Sequence, residues 1–511
     1  MSDFFLIIYK VCAALIFVAA GVFVSLMIAA QICVSIPHVA WIAYYVAAVA
    51  LIWLILEYGK RNLGHWFSCC EIWFLALACF AVHYAMVVWL PEFGQVGMSA
   101  PGDSRAALMA LNADKICHMH QPRDINWSNY EVLLSALGAL WHRSLSFGQM
   151  LNGVVHIMVL FPIYRISRQL CGNGIARLTV ILVAFSPTVI AYSALLASEC
   201  LSSMLLFYAA YFFVKAVDDD SSQGNVVFAA VMCGIFLGFS NLFKTISLIF
   251  IVAMVVSLVL WIMREAGYRR AKRSIMVFCI VMVFQSLSMF VGQWSLAALA
   301  RDNELINRET GESVFVYEFL IGLDVEHDGM FSAKLIKKIR SWDEAERRRQ
   351  LRTAIKRDWR SYPKLMVRKF CNIHGSHSCP AGAISHFSIM IGDWPRKECG
   401  RYVAPLICLI SDNSTFVLRV LLFLGAIGAL FARGRSFGFA LPGIFSMLVV
   451  LSFAAVEQLI EGHGRYKVAV YPFYFMLVPY ICVWFERENS LYVRIGGLFN
   501  KLNERRVAHE Y

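Results

Sequence analysis

Four groups of polar residues interrupt an otherwise apolar chain, and each holds a side chain able to do chemistry. The first is Pro101-Gly102-Asp103-Ser104-Arg105, which follows the apolar run from Ile72 to Leu90 and sits in a polar segment, roughly 91–130. A carboxylate a few residues beyond a membrane exit lies at headgroup level. There it can take a proton from an attacking hydroxyl, so Asp103 is the candidate general base. Asp103 also suits a helix N-cap, because Ser104-Arg105-Ala106-Ala107-Leu108 opens a helical pattern. The two roles are compatible, since a helix N-terminus favours negative charge. Glu199 is the second candidate, in a short turn after Ser186-Pro187-Thr188 and Tyr192. A carboxylate with apolar flanks near a membrane boundary is costly unless it is paired or used. Lys244 is the third, a single charge at the junction of two apolar runs, where it either snorkels or binds a lipid phosphate. The fourth group is Glu457, Glu461, His463, Arg465, Tyr466 and Lys467, leading into Val470-Tyr471-Pro472. Arg and Lys at one level can clamp a phosphate, Arg through two oxygens at once.

The elements that must position these groups are membrane helices. Of 511 residues, 59% are hydrophobic and 16% charged, where a soluble domain is about half apolar and a quarter charged. The apolar residues fall in blocks of about 20, the length a helix needs to cross hydrocarbon. Backbone groups in lipid must be satisfied internally, so such blocks are helices. The expected fold class is all-α and polytopic, with spans at 12–34, 38–57, 70–90, 148–168, 174–194, 197–216, 225–243, 245–263, 274–299, 413–432, 436–456 and 468–485. With no signal-peptide pattern ahead of it, the first run reads as a retained span.

Lys60 and Arg61 mark the second connection as cytoplasmic under the positive-inside rule. Arg165, Arg168 and Arg177, the Arg264–Arg273 cluster, Arg433 with Arg435, and the tail from Arg487 to Arg506 then fall on the same side. Both termini are expected to be cytoplasmic. The chain divides into 1–60 (two extra N-terminal helices), 61–300 (a core with the outer loop 91–147), 301–412 (a large outer loop), 413–485 (C-terminal helices) and 486–511 (a basic tail).

The net charge of +12 comes from basic residues beside apolar blocks, a topological pattern that points away from nucleic acid. Most of the fifteen cysteines lie within predicted spans and act as small hydrophobes. Cys117, Cys371, Cys379 and Cys399 lie in outer loops. In an oxidising compartment Cys371 and Cys379 are spaced to close a short loop, although sequence leaves the pairing open. In the long loop, Leu351, Ile355, Trp359, Tyr362 and Met366 predict one apolar face on a charged interfacial helix, broken or restarted at Pro363. Its basic run from Arg347 to Lys369 reads as a solvated, headgroup-facing surface. Asp218-Asp219-Asp220 reads as a solvated turn. Asp114, His118 and His120, and His374 with His377, match no closed four-ligand zinc signature, so no metal site is assigned. Asn126 and Asn413 are short sequon matches.

Taken together, several pieces resemble the GT-C membrane glycosyltransferases, and within them bacterial proteins similar to the dolichyl-phosphate-mannose-protein mannosyltransferase family. These are Gly102-Asp103, Leu151-Asn152, Phe185-Ser186-Pro187 with Tyr192, Ser198-Glu199, and Gly238-Phe239-Ser240-Asn241-Leu242-Phe243-Lys244. Phe319-Leu320-Ile321-Gly322-Leu323-Asp324 with Asp328-Gly329, and Arg465-Tyr466 before Tyr471-Pro472, continue the order over roughly residues 90–485. The chain departs from the pattern in having Ser104 where relatives often carry a second acid, Lys244 where they usually carry Arg, and two extra leading spans. The resemblance implies an inverting glycosyltransferase. Asp103 would be the base, with Glu199 as a second catalytic carboxylate, and Lys244, Arg465, Tyr466 and Arg105 would hold the donor phosphate.

The implied donor is a sugar on a polyprenyl phosphate, with mannose the family's commonest sugar. The acceptor would be a protein, glycolipid or cell-wall polymer hydroxyl at the outer face of a bacterial plasma membrane. No cofactor and no strict metal are implied. A lipid-linked glycan polymerase or ligase, and a transporter or flippase, are the alternatives. Spans nearly free of charge favour chemistry at the outer surface over transport.

Overall fold

Long apolar runs without a polar stripe make helices whose faces can all lie in apolar surroundings. The computed structural model describes residues 2–34, 39–89, 129–140, 145–190, 198–264, 268–302, 319–374, 396–431, 437–459 and 470–481, apart from 188, 219–220, 245, 327–328, 330–332 and 358–359. The described residues are all-helical. In order they are α1 (Ser2–Val34), α2 (Val39–Trp89), α3 (Asn129–Leu140), α4 (Leu145–Ala184), α5 (Glu199–Val217), α6 (Gln223–Phe243), α7 (Ser247–Arg264) and α8 (Tyr268–Asp302). Then come α9 (Ala333–Arg340), α10 (Glu344–Arg357), α11 (Tyr362–His374), α12 (Arg396–Phe431), α13 (Phe437–Glu457), α14 (Tyr471–Phe475) and a 3-10 turn, Val478–Ile481.

Among the described residues, eight helices are long and apolar enough to cross a membrane, with Val39–Ile55 and Glu71–Ala85 as shorter apolar helices. The difference from the expected twelve spans has local causes. The backbone of α2 is helical through the connection expected at Lys60 and Arg61. Yet Tyr45 and Leu182 line one cavity, while Cys79 bonds the carbonyl of Ala184. A straight helix at 1.5 Å per residue would set Tyr45 and Cys79 about 50 Å apart, so α2 does not run straight between them. Within α4, Gly172 takes a left-handed φ of 74° and breaks the helix. The halves fold back on each other, because Tyr164 before the break and Arg177 after it both bond Glu71. The second half breaks after Ala184, as Pro187 disfavours helix at Ser186, and helix resumes at Pro187, with Val189 and Ile190 N–H donating to the Ser186 carbonyl. The last expected span, 468–485, is a short helix and a 3-10 turn around Pro472 and Pro479. Helix α12 begins at Arg396, well ahead of the expected 413, and buries Asn413 at 2% exposure, closed to glycosylation.

Two devices hold the site helices in place. Gly234 and Gly238 lie one turn apart on α6, against α8. A Cβ at Gly234 would sit 2.6 Å from the Val281 carbonyl, and one at Gly238 would sit 2.5 Å from that of Gln285. Helices in lipid associate through such close backbone approach. Gly238→Val is therefore expected to cost about 1–3 kcal/mol by overpacking, visible as a lower unfolding midpoint in detergent. Ser202 on α5 meets Ser240 on α6, Oγ to Oγ at 2.9 Å, which sets the register of the pair.

The spans are not free of charge, as the sequence suggested. Glu71 and Arg177 are fully buried and pair at 2.6 Å, so Arg177, expected from sequence as a topology marker, is an internal staple. Arg419 of α12 donates to the carbonyls of Met27 and His374 and to Gln31 Oε1, joining α1, α11 and α12. In the long loop Pro363 falls in the first turn of α11, where its missing N–H is tolerated. Helices α10 and α11 are accordingly separate, as the restart at Pro363 anticipated. Leu365 and Ile373 are buried, while Ile355 and Met366 are exposed, and Trp359 lies outside the described residues. Lys369 is also buried rather than solvated. Its ammonium donates to the carbonyls of Gly322 and Gln458, fastening α11 to both neighbouring segments.

Candidate active site

Glu199 is the first residue of α5, and Lys244 caps the end of α6. These helices run in opposite directions, so a helix start and a helix end lie side by side. The Ser202–Ser240 contact one turn deeper levels them. Lys244 Nζ donates to Glu199 Oε1 at 3.1 Å. The pair is asymmetric in exposure: the Glu199 side chain is 1% exposed and that of Lys244 is 21% exposed. A carboxylate at a helix N-terminus is favoured by the dipole, and the buried charge is balanced by the lysine. Lys244 is thus the partner of the pair that remains partly open.

The backbone beside Lys244 is held independently. Lys244 is extended, and its carbonyl accepts from Ile246 N–H at 2.8 Å, which starts α7 at once. Asn241 accepts from Ser247 Oγ at 2.7 Å, a second strap across the same turn. Helix α3 covers this end of the bundle. Asn129 donates to the Leu242 carbonyl at 2.7 Å, and Tyr130 OH donates to Asn152 Oδ1 of α4 at 2.9 Å. Tyr130, Glu131 and Asn152 are all buried. Burial pushes the Tyr130 hydroxyl well above its usual range, so it remains a donor. Tyr471, at the start of α14, reaches Ser186 Oγ at 3.3 Å, and with Pro472 it lines a small cavity shared with His156 and Cys200.

The structure therefore joins Glu199 and Lys244, which the sequence placed separately, and joins Ser186 with Tyr471. Asp103, Arg105, Arg465 and Tyr466 lie outside the described residues, as do Cys117, Cys379, Asp114, His118, His120 and His377, while Cys399 falls in the first turn of α12. Tyr130 and Glu131 were not singled out by sequence. Their only signal was a Tyr-Glu pair shortly before a span, too common to read.

A lysine held by a buried carboxylate at one bundle end, with polar groups converging from α3 and α4, can hold an anionic group at the edge of an apolar bundle. Residues 133–295 match the family model for dolichyl-phosphate-mannose-protein mannosyltransferase. The match runs from α3 into α8 and contains Asn152, Glu199 and Lys244. No curated protein matches the chain. Among solved structures, ArnT from Cupriavidus metallidurans bound to undecaprenyl phosphate is 12% identical over 78% of each chain, with a TM-score of 0.32. The same protein in the apo state is 13% identical over the same shares, with a TM-score of 0.29. The Archaeoglobus fulgidus oligosaccharyltransferase in the apo form is 13% identical over 80% of this chain and 56% of its own, with a TM-score of 0.29.

Proposed function

We propose that the chain is a membrane glycosyltransferase that moves a sugar from a polyprenyl-phosphate donor to an acceptor hydroxyl, at the end of the bundle where Glu199 and Lys244 meet. The observation that carries this reading is that ion pair, one partner buried and the other partly open, inside the segment that matches the family. Leaving-group departure puts negative charge on the lipid phosphate, and a fixed ammonium stabilises charge that develops there. Glu199, engaged by Lys244, orients that ammonium. Asp103 is the base that deprotonates the acceptor hydroxyl as it attacks the anomeric carbon from the face opposite the phosphate, inverting the configuration. Arg465 and Tyr466 join the phosphate site. Tyr471, beside Ser186, lies six residues after Arg465, a tether of about 20 Å at full extension. Arg105, two residues from Asp103, completes the cationic set. The basic connections, with Lys60 and Arg61 read as cytoplasmic, support an arrangement with this end outside and both termini in the cytoplasm.

The test is transfer of labelled sugar from a panel of polyprenyl-phosphate donors in membranes holding the full chain. Lys244→Gln keeps a hydrogen-bond donor for Glu199 and removes the charge. It is expected to lower kcat/KM by about 10²–10³-fold, with Lys244→Arg recovering most of the loss. Unchanged transfer in Lys244→Gln would remove Lys244 from the phosphate site. Absence of transfer by the unaltered chain from every donor and acceptor tried would overturn the glycosyltransferase reading.

A further inference from the structure

A second polar cluster lies inside the membrane part of the bundle, apart from the Glu199–Lys244 pair. Cys79 and His83 stand four residues apart on α2, so their side chains share one helical face. His156 comes from α4, one turn deeper than Asn152. One ligand atom from each of the three lies within 4.8 Å of the other two, and all three residues are buried. The centre of a triangle with that edge is ~2.8 Å from each corner. That is about 0.5 Å longer than an ordinary metal–sulfur bond and about 0.7–0.8 Å longer than a metal–nitrogen bond, gaps that small rotations of the side chains can close.

Other features suit coordination. The rings of His83 and His156 meet edge to face, 5.2 Å between centroids. His156 Nε2 has no hydrogen-bond partner among the described residues, and the backbone carbonyls of Ala184 and Val183 lie beside its ring. An imidazole fixed by a backbone carbonyl on one side, with its other nitrogen left available, is the usual arrangement of a metal-ligating histidine. Gly153 leaves room for this approach: a Cβ there would lie 3.2 Å from the His83 ring. Polar groups at this depth are expensive unless they are used.

We propose that Cys79, His83 and His156 form a binding site for a soft monovalent metal ion, of the Cu(I) class. Thiolate and imidazole together suit soft and borderline metals, and charge decides between them. On binding, the Cys79 thiol loses its proton to water and the thiolate takes the cation. A monovalent ion with one thiolate and two neutral imidazoles leaves the cluster neutral. Zn(II) on the same ligands would leave a net positive charge buried in an apolar bundle, at high desolvation cost. Three ligands also satisfy a trigonal monovalent ion, whereas zinc normally takes four.

The probe is Ag(I), a redox-inert monovalent ion, with Cu(I) under reducing, oxygen-free conditions as a second arm and Zn(II) as a third. The full chain in detergent is loaded with each metal, dialysed against a competing chelator, and its retained metal counted. Cys79→Ser keeps a donor for the Ala184 carbonyl and so preserves the fold. Cys79→Ser and His156→Gln are each expected to retain one equivalent of Ag(I) and Cu(I) fewer than the unaltered chain. Loss of one exposed thiol in Cys33→Ser or Cys279→Ser is expected to leave that equivalent in place. X-ray absorption of the Cu(I)-loaded chain should gain a contribution from one sulfur and two nitrogens that disappears in His156→Gln. Equal retention by the unaltered chain and by Cys79→Ser and His156→Gln, with all three still folded by thermal melting, overturns the site. Retention of Zn(II) in preference to the monovalent ions overturns the charge assignment.

Discussion

In membranes carrying Asp103→Asn, sugar transfer is expected to fall by about 10²–10⁴-fold while the donor still binds. The substitution keeps the shape of the side chain and removes its capacity to accept a proton. The expected loss corresponds to about 3–5 kcal/mol of transition-state stabilisation. A loss confined to the chemical step would appear in kcat, with KM for the donor little changed. Asparagine is also a good N-cap, so a capping role alone would leave transfer near normal, and that outcome would sink Asp103 as the base. Glu199 is a poor substitute candidate, because its carboxylate is buried against the Lys244 ammonium at 3.1 Å. A base needs a proton-accepting lone pair open to the substrate. In this geometry Glu199 instead serves to orient Lys244.

The largest effect on stability is expected from Glu71→Ala. Glu71 accepts from Arg177 Nε at 2.6 Å and from the Tyr164 hydroxyl, and both charged side chains have no exposure. Removing the carboxylate takes away the buried guanidinium's ion-pair partner, which costs about 3–5 kcal/mol. Both halves of α4 are released from α2 together, since Tyr164 and Arg177 lie on either side of Gly172. Unfolding in detergent, followed by heat or denaturant, should show a much lower midpoint for Glu71→Ala. Replacing both partners, Glu71→Leu with Arg177→Met, should recover most of it, because no charge is then left buried alone. A midpoint for Glu71→Ala equal to that of the unaltered chain would show that Arg177 finds water or another partner when its carboxylate is gone.

Membrane residence, all-helical class and most helix positions were legible in the linear chain, because 20-residue apolar blocks have one structural solution in lipid. The candidate carboxylate and lysine were legible too, since single charges at span ends are rare and costly. Their partnership was not. Glu199 and Lys244 are 45 residues apart, and the start of one helix meets the end of another only through the Ser202–Ser240 register and the Gly234–Gly238 approach to α8. Charges assigned from sequence to topology or to headgroups became internal staples for the same reason. Arg177 and Lys369 look like surface cations in a list of residues, and only packing brings Glu71 to one and the Gly322 and Gln458 carbonyls to the other. The Cys79–His83–His156 cluster was hidden because two of its members read as one turn of an apolar span and the third lies on α4. Local pattern decides how each segment is solvated; which polar groups neutralise one another depends on contacts between segments distant in sequence, and those exist only once the bundle has closed.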